Sequence, residues 1–256
     1  MTTSSVRVVL HGGLGNQLFQ YFIGRLEAKR RCIDTVLLVA DLLTTYETSR
    51  VLELNPLVQA EPPPRAQSTA VDMLSRARLP KIAWRLAGRE FVLTVPCYGV
   101  IIDGYFQWQG SYRAYSPANI AEVVGAWRRA LAGPLQLMSP RRRHVTHVRL
   151  GDFFDSQETA RQFTRARLKT LQGPTDLVTD QEDLVNEQLF SLQLPFDVRV
   201  VPTAEMSAWD LLALFCRYEH IATNGSSLAF WAAVLADAQL ESSNPDHMDI
   251  WRLIRK

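Results

Sequence analysis

The N-terminal 31 residues constrain the fold most, because they predict a strand, a glycine turn and a helix in succession. Val6–Leu10 is a short β-branched run, and the turn His11-Gly-Gly-Leu-Gly follows it directly. Residues 16–31 then place large apolar side chains at helical spacing. In α/β proteins, a turn of this kind brings ligands close to backbone N–H groups at a helix start. The unit therefore predicts an α/β domain with a candidate binding loop.

The alternation of strands and helices continues along the chain. A proline at the first helical position and a serine N-cap open one helix at Ser116-Pro117, which should end near Gly133. Strands are predicted at Val36–Ala40, Phe91–Val95, Gly99–Asp103, His144–Leu150, Asp176–Thr179, Val198–Val201 and His220–Ala222. Further helices are predicted over 71–87, 158–171 and 207–217, from residues 181 and 227, and at His247–Ile254. Repeated strand–helix units favour a parallel sheet covered by helices in each half.

The segment GPLQLMSPRRR at residues 133–143 divides the chain into two predicted domains. It combines turn residues with exposed charges, which is typical of an interdomain connection. We place the domains at residues 1–137 and 138–256. A chain of 256 residues with 47% hydrophobic content is long and apolar enough for two α/β domains.

Composition excludes several classes of function. A formal net charge of +2 is too small to predict nucleic-acid binding. The three cysteines are far apart without a CxxC motif, and the five histidines form no ligand cluster, so we expect neither a disulfide framework nor a bound metal. No signal peptide or long apolar span is evident, which predicts a soluble, cytoplasmic protein. The basic residues between 76 and 89 form either a solvated face or a peripheral contact with the inner face of the plasma membrane.

The glycine turn has two simple interpretations. A dinucleotide fingerprint would need a third glycine where Leu18 stands, and Asn16 and Gln17 are unusual in that motif. Alternatively, the glycines only reverse the chain, and Asn16 serves as the N-cap of the helix. The residues that follow the turn favour a third interpretation.

Five segments, in the same order, resemble elements of one enzyme family. The stretch GGLGNQLFQYFIGR resembles the N-terminal signature of the bacterial and animal α-1,2-fucosyltransferases, GGLGNQxFQYA. The other four segments are GYFQ at 104–107, similar to the family's GYFQ; HVRLGDF at 147–153, similar to HxRRxD; Thr179-Asp180, similar to Ser-Asp; and NGSSLAFWAA at 224–233, similar to NSTFSWWAA. Together they extend over nearly the whole chain.

The resemblance implies a fold and a reaction. It implies a GT-B glycosyltransferase, with two Rossmann-like domains facing across a cleft, the acceptor mostly against the first and GDP-β-L-fucose mostly against the second. The implied reaction is metal-independent, inverting transfer of L-fucose to a galactoside 2-hydroxyl in bacterial surface glycan synthesis. The expected partners are therefore a nucleotide sugar and a glycan acceptor, without a cofactor. Two alternatives stay open, namely a transferase that uses another nucleotide sugar and a catalytically silent domain that binds sugar nucleotides.

Arg149 is the main candidate for catalysis. When a nucleoside diphosphate leaves a sugar, negative charge grows on its β-phosphate, and fixed positive charge stabilises that transition state. Guanidinium is always protonated and binds two phosphate oxygens with a planar fork. Asp152 is expected to orient Arg149 through a turn at Gly151, or else to form a solvent-facing pair with it. His147 shares a strand face with Arg149, as either a nucleotide contact or a packed histidine.

Other polar residues on the nucleotide side have two interpretations each. Asn224, Ser226 and Ser227 precede an apolar helix, whose positive end would face the diphosphate. The alternative is a plain N-cap by Ser226 or Ser227. Asp180 either accepts hydrogen bonds from the N–H edge of guanine or caps the following helix. Phe230 is expected in the core, as is its neighbour Trp231.

On the acceptor side, Asn16 is expected to hydrogen-bond the transferring sugar or the acceptor hydroxyl. The remaining candidates for substrate binding are His11, Gly13, Gly15, Gln17, Tyr105 and Gln107. The general base stays open between Asp103, Asp155 and His11, with proton loss to the diphosphate as a further route. Leu150 replaces the second arginine of the HxRRxD segment, which removes a positive charge and leaves the donor sugar open.

Overall fold

The structure, a computed structural model, describes residues 5–39, 51–60, 90–95, 99–137, 142–151, 154 and 156–255. The chain divides into two compact units. Unit 1 consists of residues 1–134 and 249–256, and unit 2 of residues 135–248. The division thus lies three residues before the boundary expected from the sequence, and the last eight residues group with unit 1.

Unit 1 contains a four-stranded sheet of order β2-β1-β4-β3. Its elements are β1 (Val6–Val9), α1 (Leu14–Arg30), β2 (Val36–Val39), α2 (Asn55–Ala60), β3 (Phe91–Val95), β4 (Gly99–Asp103), a 3-10 helix (Gln109–Tyr112) and α3 (Pro117–Leu131). β1 runs parallel to β2 and β4, but β3 is antiparallel to β4. Only residues 96–98 separate β3 from β4, and a parallel connection needs a dozen or more residues. The expectation of a purely parallel sheet is therefore wrong at this edge.

Helix α1 packs its apolar residues into the core of unit 1. Leu18, Phe22 and Leu26 are fully buried. A Cβ atom on Gly24 would lie 2.4 Å from a methyl carbon of Val8, so the glycine permits close packing of the helix on β1. The helix begins at Leu14 with Gly13 as N-cap and without a capping side chain. The interpretation of Asn16 as N-cap is therefore wrong.

Unit 2 contains a five-stranded parallel sheet of order β7-β6-β5-β8-β9. Its elements are β5 (Arg142–Val148), α4 (Gln157–Lys169), β6 (Thr175–Thr179), α5 (Glu182–Leu192), β7 (Val198–Val200), α6 (Ala208–Phe215), β8 (Tyr218–Thr223), α7 (Ser227–Ala236) and β9 (Gln239–Ser242). Helix α8 (Pro245–Ile254) crosses the division between the units. The order reverses at β5, which has β6 on one side and β8 on the other. Ligands bind at such switch points in α/β sheets.

The predicted α/β class is confirmed, and most predicted elements form within a few residues of their expected bounds. Ser116 caps α3, accepting a hydrogen bond from the Asn119 N–H at 3.2 Å. Phe230 and Trp231 are fully buried, as expected, in helix α7, whose residues after Ser227 are all apolar. Strand β9 and helix α2 were not predicted, whereas the helix predicted at 71–87 and the basic residues from 76 to 89 lie outside the described residues. Within the described part of the chain, no helix combines the length and apolarity that membrane crossing requires.

Candidate functional site

The carboxyl ends of β1 and β4 bring together two titratable side chains that are 92 residues apart in sequence. His11 follows β1, and Asp103 is the last residue of β4. His11 Nε2 lies 2.5 Å from Asp103 Oδ1, within hydrogen-bonding distance. The Asp103 side chain is 5% exposed and the His11 side chain 15%. The pair therefore combines a buried carboxylate with a partly exposed imidazole.

The two segments that flank this pair also contact each other. Gln107 Nε2 donates a hydrogen bond to Asn16 Oδ1 at 2.7 Å. The rings of Tyr105 and His11 have their centroids 5.8 Å apart. Four of the residues predicted to contact substrate in the first domain thus form one cluster. We call His11, Asn16, Asp103, Tyr105 and Gln107 the β1–β4 cluster.

Gln17 has a different role from the predicted one. Its side chain is fully buried, and Nε2 donates to the carbonyl oxygens of Gly12 and Val51, both at 2.9 Å. Its Oε1 accepts a hydrogen bond from the Glu53 N–H. All these bonds are to backbone atoms of the protein, so Gln17 holds the turn against residues 51–53, and the prediction that it binds substrate is not supported by its contacts.

The three glycines of the turn have different roles. Gly12 has φ +69°, and a Cβ atom there would lie 2.4 Å from Asn16 Nδ2. Gly13 is the N-cap of α1, and its carbonyl oxygen accepts hydrogen bonds from the N–H groups of Asn16 and Gln17. Gly15 is buried in the first turn of the helix. Asn16 can therefore approach the turn closely only because position 12 is a glycine.

In unit 2, Arg149 directly follows β5, and the side chain of Asn224 fixes its backbone. The Arg149 N–H donates to Asn224 Oδ1 at 2.9 Å, and Asn224 Nδ2 donates to the Arg149 carbonyl oxygen at 2.6 Å. β5 and β8 are neighbouring parallel strands, so the residues that follow them are also neighbours. Asn224 thus positions the backbone of Arg149, and the expected contact of Asn224 with the diphosphate stays a prediction.

The start of α7 lies beside this pair. Ser226 is the N-cap and accepts a hydrogen bond from the Ala229 N–H at 3.3 Å, while Ser227 is the first helical residue. The simple capping interpretation of Ser226 is therefore confirmed. A helix N-terminus carries partial positive charge, and the start of α7 lies next to the backbone of Arg149 because β5 and β8 are neighbours in the sheet.

Asp180 connects the ends of β5 and β6. Its Oδ1 accepts from the Leu150 N–H at 2.8 Å, and its Oδ2 accepts from the Gly151 N–H at 2.9 Å. A Cβ atom on Gly151 would lie 2.8 Å from Oδ2. Helix α5 has Gln181 as N-cap without a capping side-chain bond, so the prediction that Asp180 caps it is wrong. Recognition of guanine by the remaining carboxylate lone pairs stays a prediction.

His147 is buried on β5, with its ring centroid 4.9 Å from that of Phe215. Burial lowers the pKa of His147 to about 4; the charge of Asp180 opposes this shift and that of Arg149 adds to it. The imidazole is therefore neutral at pH 7, and Nδ1 has no hydrogen-bond partner among the described residues. The packed-histidine interpretation fits this environment, and a contact with nucleotide stays a prediction.

Leu150 faces an apolar cluster. Its side chain is 1% exposed and packs with Val148, Leu168, Leu177 and Val185. A side chain buried in this cluster is not available to a ligand at the strand end. Asp152 and Asp155 lie outside the described residues, and so does the predicted pairing of Arg149 with Asp152.

A cavity of about 840 Å³ opens at the carboxyl ends of β6 and β7. Asp180, Glu182 and Thr203 line it, together with Arg161 of α4. A second cavity, of about 720 Å³, lies at the amino ends of the strands around His144 and contains none of the predicted ligand residues. Among the described residues, no three His, Cys, Asp or Glu side chains are grouped so that they could hold a metal ion.

The predicted residues thus form two clusters at carboxyl strand ends, one in each unit. The first is the β1–β4 cluster, and the second comprises Arg149, Asn224, Asp180 and the start of α7. In comparisons with known proteins, no family model matches this chain, and neither a curated protein nor a solved structure matches it significantly. The resemblance to fucosyltransferases therefore depends on the five sequence segments.

Proposed function

We propose that this protein is a GT-B glycosyltransferase that transfers L-fucose from GDP-β-L-fucose to the 2-hydroxyl of a galactoside. In this proposal unit 2 binds the nucleotide sugar and unit 1 binds the acceptor. Bacterial surface glycan synthesis is the process that the sequence resemblance favours. The donor is a substrate, and the reaction requires no cofactor.

The position of Arg149 is the observation that carries the proposal. Two hydrogen bonds with the Asn224 side chain, one donated and one accepted by Arg149, hold its backbone at the strand-order switch point of unit 2. The N-terminus of α7 begins three residues after Asn224. A guanidinium and a helix N-terminus at neighbouring strand ends both stabilise the charge that develops on a departing diphosphate.

The acidic lining of the neighbouring cavity supports a guanine nucleotide as the donor. Asp180 and Glu182 both line it, and guanine presents N1–H and N2–H₂ donors on its edge. Glu182 Oε1 already accepts a hydrogen bond from the Thr203 N–H at 3.0 Å, and both Asp180 oxygens accept backbone N–H groups. Each carboxylate oxygen has a second lone pair, so both residues can still accept hydrogen bonds from guanine. A volume of about 840 Å³ is within the range of small-molecule sites.

A second candidate function is transfer from a different nucleotide sugar. It is favoured by Leu150, because a core-facing leucine leaves one arginine where the resembled family has two. The two candidates differ in the sugar of the donor and share the role of Arg149.

The test is a transfer assay with a panel of nucleotide sugars and several galactosides, read by mass spectrometry of the product. We expect GDP-fucose to be consumed and the Arg149→Ala variant to lose roughly 10²- to 10³-fold in kcat. The control is Arg165→Ala, because Arg165 is an exposed arginine on α4. Turnover with a non-fucose donor alone would replace the first candidate with the second. Nucleotide-sugar binding without turnover would indicate a silent binding domain.

A further inference from the structure

We propose that unit 2 has a second ligand site, which binds a small organic phosphate at the amino end of its sheet. The site is the cavity of about 720 Å³ around His144. Its described lining shares no residue with the cluster of Arg149, Asn224 and Asp180, which lies at the carboxyl strand ends. A ligand in this cavity is therefore additional to the nucleotide sugar.

Three neighbouring strands carry polar side chains on the face of the sheet that this cavity occupies. The register of β5 with β8 pairs His144 with His220 and Thr146 with Ala222. The register of β8 with β9 pairs Ala222 with Glu241. Side chains alternate between the two faces of a strand, so these residues share one face. Strands of parallel sheets are usually apolar on both faces, so core packing does not account for this polar patch.

The path of the chain explains why this part of the face is open. Helices α4 and α5 lead from β5 toward β7, whereas α7 leads from β8 to β9 on the other side of β5. Because such connections are right-handed, the two groups of helices lie on opposite faces. Val148, on the same face as His144, packs with Leu168 of α4. The described connections therefore place no helix on this face over β8 and β9, and the cavity occupies that space.

The charged residues of the lining favour an anion. Arg143 and Arg167 line the cavity with a single described carboxylate, Glu241, so one net positive charge is left when the histidines are neutral. Arg167 Nη1 lies 2.9 Å from Glu241 Oε1, which already pairs these two charges. Arg143, at the exposed start of β5, forms no ion pair with any described residue. Its guanidinium is therefore available to a phosphate group.

Two imidazole rings in the cavity can add further positive charge. The ring centroids of His144 and His220 are 5.2 Å apart. Burial is the main cause that lowers the pKa of His220; the charges of His144 and Arg167 add to this shift, and that of Glu241 opposes it. An anion beside the rings favours their protonated forms. Binding of an anion is therefore coupled to proton uptake, and each of the two events strengthens the other.

The size and the remaining lining of the cavity favour an organic phosphate over a bare ion. A water molecule occupies about 30 Å³ of the liquid, and a phosphate group displaces only a few waters, so a cavity of about 720 Å³ has room for more. Leu171 and Pro174 provide apolar surface for a carbon skeleton. Thr170 and Gln172 offer donors and acceptors for its hydroxyl groups.

The first experiment measures binding by calorimetry, with glucose 6-phosphate and inorganic phosphate as the two probes. We expect glucose 6-phosphate to bind more tightly, and Arg143→Ala to raise its Kd roughly 5- to 10-fold through loss of a charged hydrogen bond. Glu241→Gln should lower the Kd, because it removes the negative charge from the lining. The matched control is Arg165→Ala, an exposed arginine of α4 outside the cavity, which should leave the Kd unchanged.

Binding of neither probe, or the same Kd in Arg143→Ala as in the wild type, would overturn the proposal. Equal affinity for the two probes would reject an organic ligand. Arg149→Ala tests whether the phosphate occupies the donor site instead, and we expect it to leave the Kd for glucose 6-phosphate unchanged. If Arg149→Ala abolishes this binding and Arg143→Ala does not, the second site fails and the proposed function stands. If the protein transfers no sugar but binds this probe through Arg143, only the proposed function fails.

The second experiment uses sulfate, whose charge is constant near neutral pH. We expect sulfate to bind more tightly at about pH 5.5 than at about pH 8, on either side of the ordinary histidine pKa of about 6.5. The arginines and Glu241 keep their charges over this range, so the change reports the imidazoles. His220→Phe keeps a ring against His144 and should weaken the pH dependence. NMR of the histidine rings should show sulfate raising the pH at which His144 and His220 titrate. A Kd that does not change with pH would contradict the coupling.

Discussion

At position 150, the effect of having leucine in place of arginine depends on the direction in which the side chain points. The resembled family has arginine where this chain has Leu150, and the simplest expectation is a lost phosphate contact. Leu150 instead lies in the core of unit 2, between the sheet and α4 and α5. An arginine here would place an unpaired charge in an apolar environment unless the segment turned over.

We predict that Leu150→Arg lowers the free energy of unfolding by about 3–5 kcal/mol, the cost of an uncompensated buried charge. Leu150→Met is the matched control and should cost less than about 1.5 kcal/mol, because it conserves volume. Urea denaturation measures both values. If Leu150→Arg kept wild-type stability and raised the rate of sugar transfer, the side chain would have to face the ligand.

At the scale of secondary-structure elements, Asp180 links the end of β6 to the end of β5. Its carboxylate accepts the N–H groups of Leu150 and Gly151, which would otherwise be unpaired at a strand end. Gly151 makes this possible because any Cβ atom would lie 2.8 Å from Oδ2. The predicted turn toward Asp152 lies outside the described residues, and in the structure Gly151 makes room for Asp180.

We predict that Gly151→Ala lowers the free energy of unfolding by about 1–3 kcal/mol, because it displaces Asp180 and leaves N–H groups unpaired. Gly173→Ala is the matched control, since nothing lies within 4 Å of its Cβ position, and it should be neutral or slightly stabilising. Thermal or urea unfolding gives both values. In an Asp180→Ala background, Gly151→Ala should cost less, because the two residues share one interaction. Additive costs would contradict this coupling.

Two buried histidines couple the stability of the whole molecule to pH. Burial lowers the pKa of His147 to about 4 and likewise that of His247 to about 4, against an ordinary value near 6.5. Between pH 4 and pH 6.5 the unfolded chain binds more protons than the folded chain, so the free energy of unfolding increases with pH. The stabilisation is fully present above pH 6.5 and is lost as the pH falls toward 4.

We predict that the free energy of unfolding falls between pH 6.5 and pH 4 and that the fall is smaller in His147→Phe. The phenylalanine keeps a ring against Phe215 and removes the titrating group. Urea denaturation at several pH values measures the slope, and the wild type provides the contributions of all other groups. Identical slopes in the two proteins would show that His147 is not the group responsible.

Much of the fold could be predicted from local signals. Periodicity and the serine and proline at 116–117 located the elements because these features act within a few residues. The antiparallel pairing of β3 with β4 was not predicted, although a link of only three residues at 96–98 indicates an antiparallel pair. The roles of Gln17, Asn224 and Asp180 could not be predicted, because each depends on backbone groups distant in sequence.

The sequence by itself determined the α/β class, the order of the elements and the segments that carry polar residues at strand ends, since these follow from neighbouring residues. Only the tertiary structure decided which of those ends meet. His11 reaches Asp103 across 92 residues, and Arg149 meets Asn224 across 75, because β1 pairs with β4 and β5 with β8. Strand order arises from packing whole elements into one sheet, and local periodicity does not encode it.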